Sequence, residues 1–148
     1  MNGEPCSSRG LEGPESVERI MHVLIIEDEP LVASDLECFL SELGADSCDL
    51  VETERAAVAA ALDHAPDLIT ADCRLREGSG VDAVASIRRS LGSIPVVFIT
   101  GDPRGCDARD DMTHMLVKPI RWLDLATAVA SHNLPPAGGS DGEADRIG

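Results

Sequence analysis

The sequence predicts a single α/β domain in which helices wind onto both faces of a parallel five-stranded sheet. Three observations point there. Short apolar runs alternate with amphipathic or Ala-rich stretches along most of the chain. The runs are near-continuous in Val, Ile and Leu, as strands buried on both faces must be. The length of 148 residues suits one domain, and a hydrophobic content of 43% can fill one core. Aromatic residues make up only 2%, with no Tyr, so that core must be aliphatic.

The elements follow in order. Residues 1–20 are rich in Gly, Glu, Ser and Pro and read as a mobile N-terminal arm, with room for a short helix near "PESVERI". "HVLIIED" is a buried strand that ends in acids. "PLVASDLECFLSELG" carries Val32, Leu36, Phe39, Leu40 and Leu43 at helical spacing, with Pro30 at its start and Gly44 at its stop. "SCDLV" is a short strand. "ERAAVAAALDHA" is a helix with Thr53 as its N-cap, stopped by Pro66. "DLITAD" is the third strand. "VDAVASIRRSLG" is a helix that places Val81, Val84, Ala85, Arg88 and Leu91 on one face. "IPVVFIT" and the weaker "HMLVK" are the last strands. "IRWLDLATAVASH" is the last helix, burying Leu123, Ala126 and Val129 or their neighbours, with Trp122 in a packing role. These elements place the domain at residues 21–132. Residues 133–148 read as a disordered tail, too short for an output domain.

Between the fourth and fifth strands lies "GDPRGCDARDDMTHM". Pro103 and Gly105 oppose a helix there, and Asp107, Asp110 and Asp111 weaken it further. The helix expected in this crossover, the fourth in such a fold, is therefore short or absent, and its loop mobile.

Composition narrows the function. A formal net charge of -15 with no basic stripe repels phosphate backbones and anionic lipid, and so argues against direct nucleic-acid binding. No apolar run is long enough to span a membrane, and the N-terminus does not resemble a signal peptide. Cys6, Cys38, Cys48, Cys73 and Cys106 fit neither a CxxC pair nor a zinc pattern, and their number is odd. They read as free thiols in a reducing cytoplasm, with Cys73 a small buried hydrophobe.

The strand ends carry the chemistry. The first strand ends at Glu27-Asp28, the third at Asp72, the fourth at Thr100-Gly101 and the fifth at Lys118-Pro119. In a parallel sheet these ends share one edge, where ligands bind near the switch in strand order. Of 12 basic residues 11 are arginine, so Lys118 is the chain's only ammonium side chain. An acid at the end of an apolar strand is costly unless solvated, paired or metal-bound. Crowded carboxylates raise each other's pKa, and a divalent cation relieves the repulsion. A hard all-oxygen site suits Mg²⁺, which keeps positions open for phosphate oxygens and water. A carboxylate can also attack phosphorus, with cationic and hydroxyl groups steadying the phosphoryl oxygens. The plainer reading keeps Asp72 as a turn residue and Glu27 and Asp28 as acids opening a helix.

The motifs "VLIIEDEP", "PDLITADCRL", "VVFITG" and "VKPI", in this order over about residues 22–131, resemble the receiver domain of two-component response regulators. That resemblance implies a flavodoxin-like sheet of order 2-1-3-4-5. It implies Asp72 as phosphoacceptor, and Glu27 and Asp28 as Mg²⁺ ligands with Asp28 the more direct. It also implies the carbonyl of Arg74 as a further ligand, Thr100 and Lys118 on the phosphoryl group, and a cis Lys118-Pro119 bond. The partner implied is a sensor histidine kinase or histidine phosphotransfer protein, met in the cytoplasm. The downstream protein is not named by the sequence, and homodimerisation is left open. "ADCRLREGSGVDAV" further resembles receivers of the alphaproteobacterial general stress response. Two departures stand out: Met115 occupies the position, three before Lys118, where receivers usually carry an aromatic, and Thr100 and Lys118 are closer in sequence than usual.

The expected function is a stand-alone receiver that phosphorylates itself on Asp72 in a Mg²⁺-dependent reaction. It signals through protein contacts or serves as a phosphate sink, and has at most slow autodephosphorylation and no turnover of an external substrate. A phosphorylation-independent adaptor is the alternative. A metal-dependent phosphohydrolase is disfavoured, because Arg74 stands two residues after Asp72 where a second acid would be needed.

Overall fold

The structure, a computed structural model, describes residues 21–106 and 111–132. The expected N-terminal arm, the tail and part of the acidic crossover, including Asp107 and Asp110, lie outside the described residues. The elements run β1 (His22–Ile26), α1 (Pro30–Glu42), β2 (Ser47–Val51), α2 (Glu54–Asp63), β3 (Leu68–Ala71), α3 (Gly80–Leu91), β4 (Val96–Thr100), a 3₁₀ turn (Pro103–Gly105), β5 (Thr113–Val117) and α4 (Trp122–Ala130). All strand pairs are parallel, in the order β2-β1-β3-β4-β5. This is the flavodoxin-like arrangement expected. Its crossovers reverse direction between β1 and β3, the place where such sheets open a cleft at the strand ends.

The period of two along each strand sorts side chains onto two faces. Leu24, Ile26, Ile69, Ala71, Val96 and Phe98 form one core layer with Ala57 and Ala61 of α2 and Ala83, Val84 and Ile87 of α3. Val23, Ile25, Leu68, Val97 and Ile99 form the other, with Leu36 and Leu40 of α1 and Leu125, Ala128 and Val129 of α4. Fully burying each Ile or Leu contributes about 1.5–3 kcal/mol. The helix signals act as expected at three points. Pro30 opens α1, Thr53 caps α2 by accepting the Ala56 N–H at 3.0 Å, and Gly44 takes φ +117° after α1. Trp122 packs on Phe39 with ring centroids 4.8 Å apart.

Three expectations need correction. The buried face of α3 is Gly80, Ala83, Val84 and Ile87, whereas Ala85 and Leu91 are exposed. The helix is docked by its first residue, Gly80, and Arg88 does not pack in the core. Its guanidinium instead donates to the Ile94 carbonyl at 2.8 Å and the Met112 carbonyl at 3.3 Å, tying α3 to the strands it crosses. In α4 Val129 is buried as expected, with Leu125 and Ala128 beside it, but Ala126 is half-buried and Leu123 is 75% exposed. An Ala-rich helix offers several nearly equivalent stripes, and tertiary contacts choose between them. Lastly, the thiols are not all free. Cys73 and Cys106 form a disulfide with a Cα–Cα distance of 5.6 Å, leaving Cys38 and Cys48 free among the described residues.

The crossover after β4 holds only the three-residue 3₁₀ turn before Cys106, and residues 107–110 are not described. Asp102 caps that turn by accepting the Arg104 N–H at 3.1 Å. The expected mobility of this loop falls partly on the undescribed residues.

Candidate functional site

Register places the acids. Ile26 pairs with Ala71, so the next residues of β1 and β3, Glu27 and Asp72, leave the sheet side by side. The Asp72 N–H still donates to the Ile26 carbonyl at 3.0 Å, which holds its carboxylate at the strand end. Carboxylate oxygens of Glu27, Asp28 and Asp72 all lie within 4.8 Å of one another. From the opposite side β5 delivers Lys118, whose N–H donates to the Thr100 carbonyl at 2.9 Å. Its Nζ stands 3.1 Å from Asp72 Oδ2 and 3.3 Å from Glu27 Oε1. The Lys118–Pro119 bond, next in the chain, is cis, as the resemblance implied.

Burial grades these groups. Glu27 is 2% exposed, and its Oε2 accepts the Glu29 N–H at 3.2 Å. Burial pushes its carboxyl above the usual range; Lys118 opposes that shift and Asp72 adds to it. For Lys118, burial disfavours the charge. The hydrogen bond to Asp72 and the charges of Glu27 and Asp72 outweigh this and hold its pKa above the usual lysine value. The Asp72 side chain keeps 12% exposure, enough to meet a ligand from solvent.

The loops complete the site. After Asp72, the Arg74 N–H donates to Asp72 Oδ1 at 3.3 Å, and the Arg76 N–H donates to Asp28 Oδ2 at 2.7 Å. The loop folds back through a bridge between Arg74 and Ser79, and the Gly80 N–H donates to the Cys73 carbonyl at 2.9 Å. A Cβ on Gly80 would overlap the Asp72 carbonyl oxygen. Thr100 is buried, and its hydroxyl accepts the Asp102 N–H at 3.2 Å. Asp102 is in turn held by Arg104, whose hydrogen bonds lower its carboxyl to about 2, and it lies 3.6 Å from Arg74 Nη2.

Glu27, Asp28, Asp72 and Lys118 are thus brought together, Arg74 meets Asp72 through its backbone N–H, and Thr100 lies at the same edge with its hydroxyl turned to Asp102. Sequence reading did not single out Asp102, Gly80 or Glu54. Glu54 joins two loops by accepting the Ser79 N–H at 3.1 Å while its own N–H donates to the Glu77 carbonyl at 3.2 Å. Ser79 could have been found, since it stands just before the α3 pattern and caps it through the Val81 and Asp82 N–H groups.

The donor set fits a divalent metal. Three carboxylates face one ammonium, which leaves two negative charges uncompensated when all are ionised, and every offered donor is a hard oxygen. The neutral substitution Asp28→Asn is therefore expected to stabilise the metal-free protein by about 1 kcal/mol, since it removes one repelling charge. Asn Oδ1 can still accept from Arg76. The same variant should lose most of the stability that Mg²⁺ adds to the wild type. Thermal melts with and without Mg²⁺ read both effects, and equal Mg²⁺ gains in the two proteins would remove Asp28 from the ligand set.

A parallel doubly wound sheet with acids at the ends of β1 and β3, and lysine before a cis-proline after β5, defines a receiver. The chain belongs to the response regulator receiver domain family, whose model matches residues 23–130. It is 35% identical over 112 residues to the phyllosphere-induced regulator PhyR of Methylorubrum extorquens, an alignment covering 73% of this chain and 42% of PhyR. The chain thus spans less than half the length of that relative. The solution structure of the Erythrobacter litoralis PhyR receiver domain superposes with a TM-score of 0.70 at 32% identity, covering 80% of this chain and 93% of that one. The receiver domain of the sensor histidine kinase PA1611 from Pseudomonas aeruginosa, with magnesium in its active-site cleft, gives 0.66 at 26% identity, covering 76% and 97%. PhyR is described as a stress response regulator, and the two PhyR similarities support the narrower likeness to general stress response receivers. No helix among the described residues is long and apolar enough to cross a membrane.

Proposed function

We propose that this receiver takes a phosphoryl group from the phosphohistidine of a sensor kinase or phosphotransfer protein onto Asp72, in a Mg²⁺-dependent reaction in the cytoplasm. The observation that carries the reading is the 3.1 Å contact of Lys118 Nζ with Asp72 Oδ2, beside the Glu27 and Asp28 oxygens. Asp72 is the nucleophile: its oxygen forms the new bond to phosphorus as the phosphorus–nitrogen bond breaks, and the imidazole leaves with the electron pair. Lys118 follows the charge from the carboxylate to the phosphoryl oxygens. Glu27 and Asp28 would hold Mg²⁺ with Asp72 and the Arg74 carbonyl; the cation would neutralise charge building on those oxygens. The Thr100 hydroxyl must leave Asp102 to reach the phosphoryl group, which would transmit the event into the β4–β5 crossover. The output is a changed protein contact or the storage of phosphate, since the charge of -15 disfavours nucleic acid.

One observation favours a second reading, a phosphorylation-independent adaptor. Met115, where receivers usually carry an aromatic, is packed against the core layer of α2 and α3. Incubation with a small phosphodonor separates the two: labelled phosphate should enter with Mg²⁺ and stay out with excess chelator. No incorporation in either condition would leave the adaptor.

A further inference from the structure

We propose that Cys73 and Cys106 form a reversible dithiol–disulfide site that sets how fast Asp72 takes up phosphate. This rests on the assignment of Asp72 as phosphoacceptor. Cys73 directly follows Asp72, and its carbonyl anchors the first residue of α3 through Gly80 N–H at 2.9 Å. Cys106 ends the 3₁₀ turn of the β4–β5 crossover, its N–H donating to the Pro103 carbonyl at 3.0 Å. The disulfide therefore joins the acceptor's own loop to the segment that carries Asp102, the residue engaging the Thr100 hydroxyl. The same two loops are otherwise linked by the 3.6 Å Arg74–Asp102 pair, with Arg74 64% exposed, and exposed pairs hold weakly. A covalent link across 33 residues dominates it.

Among the described residues Cys38 and Cys48 take no part in this bond. Cys38 is exposed, and burial pushes the Cys48 thiol up to about 11, so Cys48 is a poor nucleophile at neutral pH. In a cytoplasmic protein a disulfide is more often a transient, redox-sensing bond than a permanent one. The chemistry balances with a hydroperoxide as oxidant. The two thiols lose two electrons and two protons, the sulfur–sulfur bond forms, the oxygen–oxygen bond breaks, and an alcohol (or water) and water leave. A dithiol reductant reverses the step by exchange, itself becoming a disulfide.

The direction follows from what is pinned. With the bond closed, the crossover holds Thr100 on Asp102, so the hydroxyl is withheld from the acceptor. With the bond open, the crossover is free to release it. Reduced protein should accept phosphate from a small phosphodonor with Mg²⁺ at least about fivefold faster than protein oxidised with hydrogen peroxide, in the range of ordinary coupling energies. Cys106→Ala should match the reduced wild type and ignore peroxide. Thiol alkylation followed by mass measurement confirms the state of each sample. Equal rates in the two wild-type states, a Cys106→Ala protein that still responds, or a bond that no reductant opens in the folded protein each overturn the proposal. If neither state takes phosphate, the acceptor assignment itself fails. Hydrogen exchange over residues 100–106 then decides whether a redox site exists at all: slower exchange on oxidation keeps the latch, and no change removes it.

Discussion

Gly80→Ala is expected to destabilise the protein by about 3 kcal/mol or more, and to disturb the β3 end that carries Asp72 as it does so. The reason is steric. The added Cβ would overlap the Asp72 carbonyl oxygen, a backbone atom that cannot swing away as a side chain can. Relief requires α3 to move off β3, which would weaken the packing of Ala83, Val84 and Ile87 in the core. Gly44→Ala is a useful contrast. Its φ is +117°, yet no atom lies within 4 Å of the added Cβ, so its cost should come from backbone strain alone, about 1–3 kcal/mol. Denaturant unfolding of both variants measures the difference. A Gly80→Ala protein no less stable than Gly44→Ala would mean that the α3 start is not packed against the Asp72 backbone.

Lys118→Ala should slow phosphate uptake from a small donor by about a hundredfold, the usual loss when one fixed cationic or hydrogen-bond donor leaves a transition state. It should do so with less damage to folding than the burial of Glu27 suggests. Removing the ammonium takes away the charge that opposes burial at Glu27, so its carboxyl moves further above the usual range. Lys118→Arg keeps the charge but not the shape. The guanidinium is planar, larger and forked, and the space between Asp72 Oδ2 and Glu27 Oε1 is filled by a compact group 3.1 Å and 3.3 Å from them. Uptake in the arginine variant should remain at least about tenfold below wild type. Wild-type rates there would reduce the chain's single lysine to an accident of composition.

The sheet and most of the site's positions were legible because a parallel strand buried on both faces has little choice of residue. Any acid, hydroxyl or lysine at its end therefore stands out. Glu27, Asp28, Asp72, Thr100 and Lys118 all interrupt or follow such runs, and topology alone gathers them at one edge. Helix faces were less legible. Alanine packs acceptably in several orientations, so the α3 and α4 stripes were fixed by docking at Gly80 and Leu125 rather than by periodicity. The Cys73–Cys106 bond left no spacing motif, since its partners are 33 positions apart and meet only because β3 and β4 are neighbours. Asp102 and Glu54 act between loops, and nothing local in the sequence announces a loop's partner.

The assignment of Asp72 as phosphoacceptor is tested most directly by intact mass after treatment with a small phosphodonor and Mg²⁺. Wild-type protein should gain the mass of one phosphate and lose it to hydroxylamine, as an acyl phosphate does, while Asp72→Asn should gain none. Equal incorporation in Asp72→Asn, or a phosphate that hydroxylamine leaves in place, would contradict it.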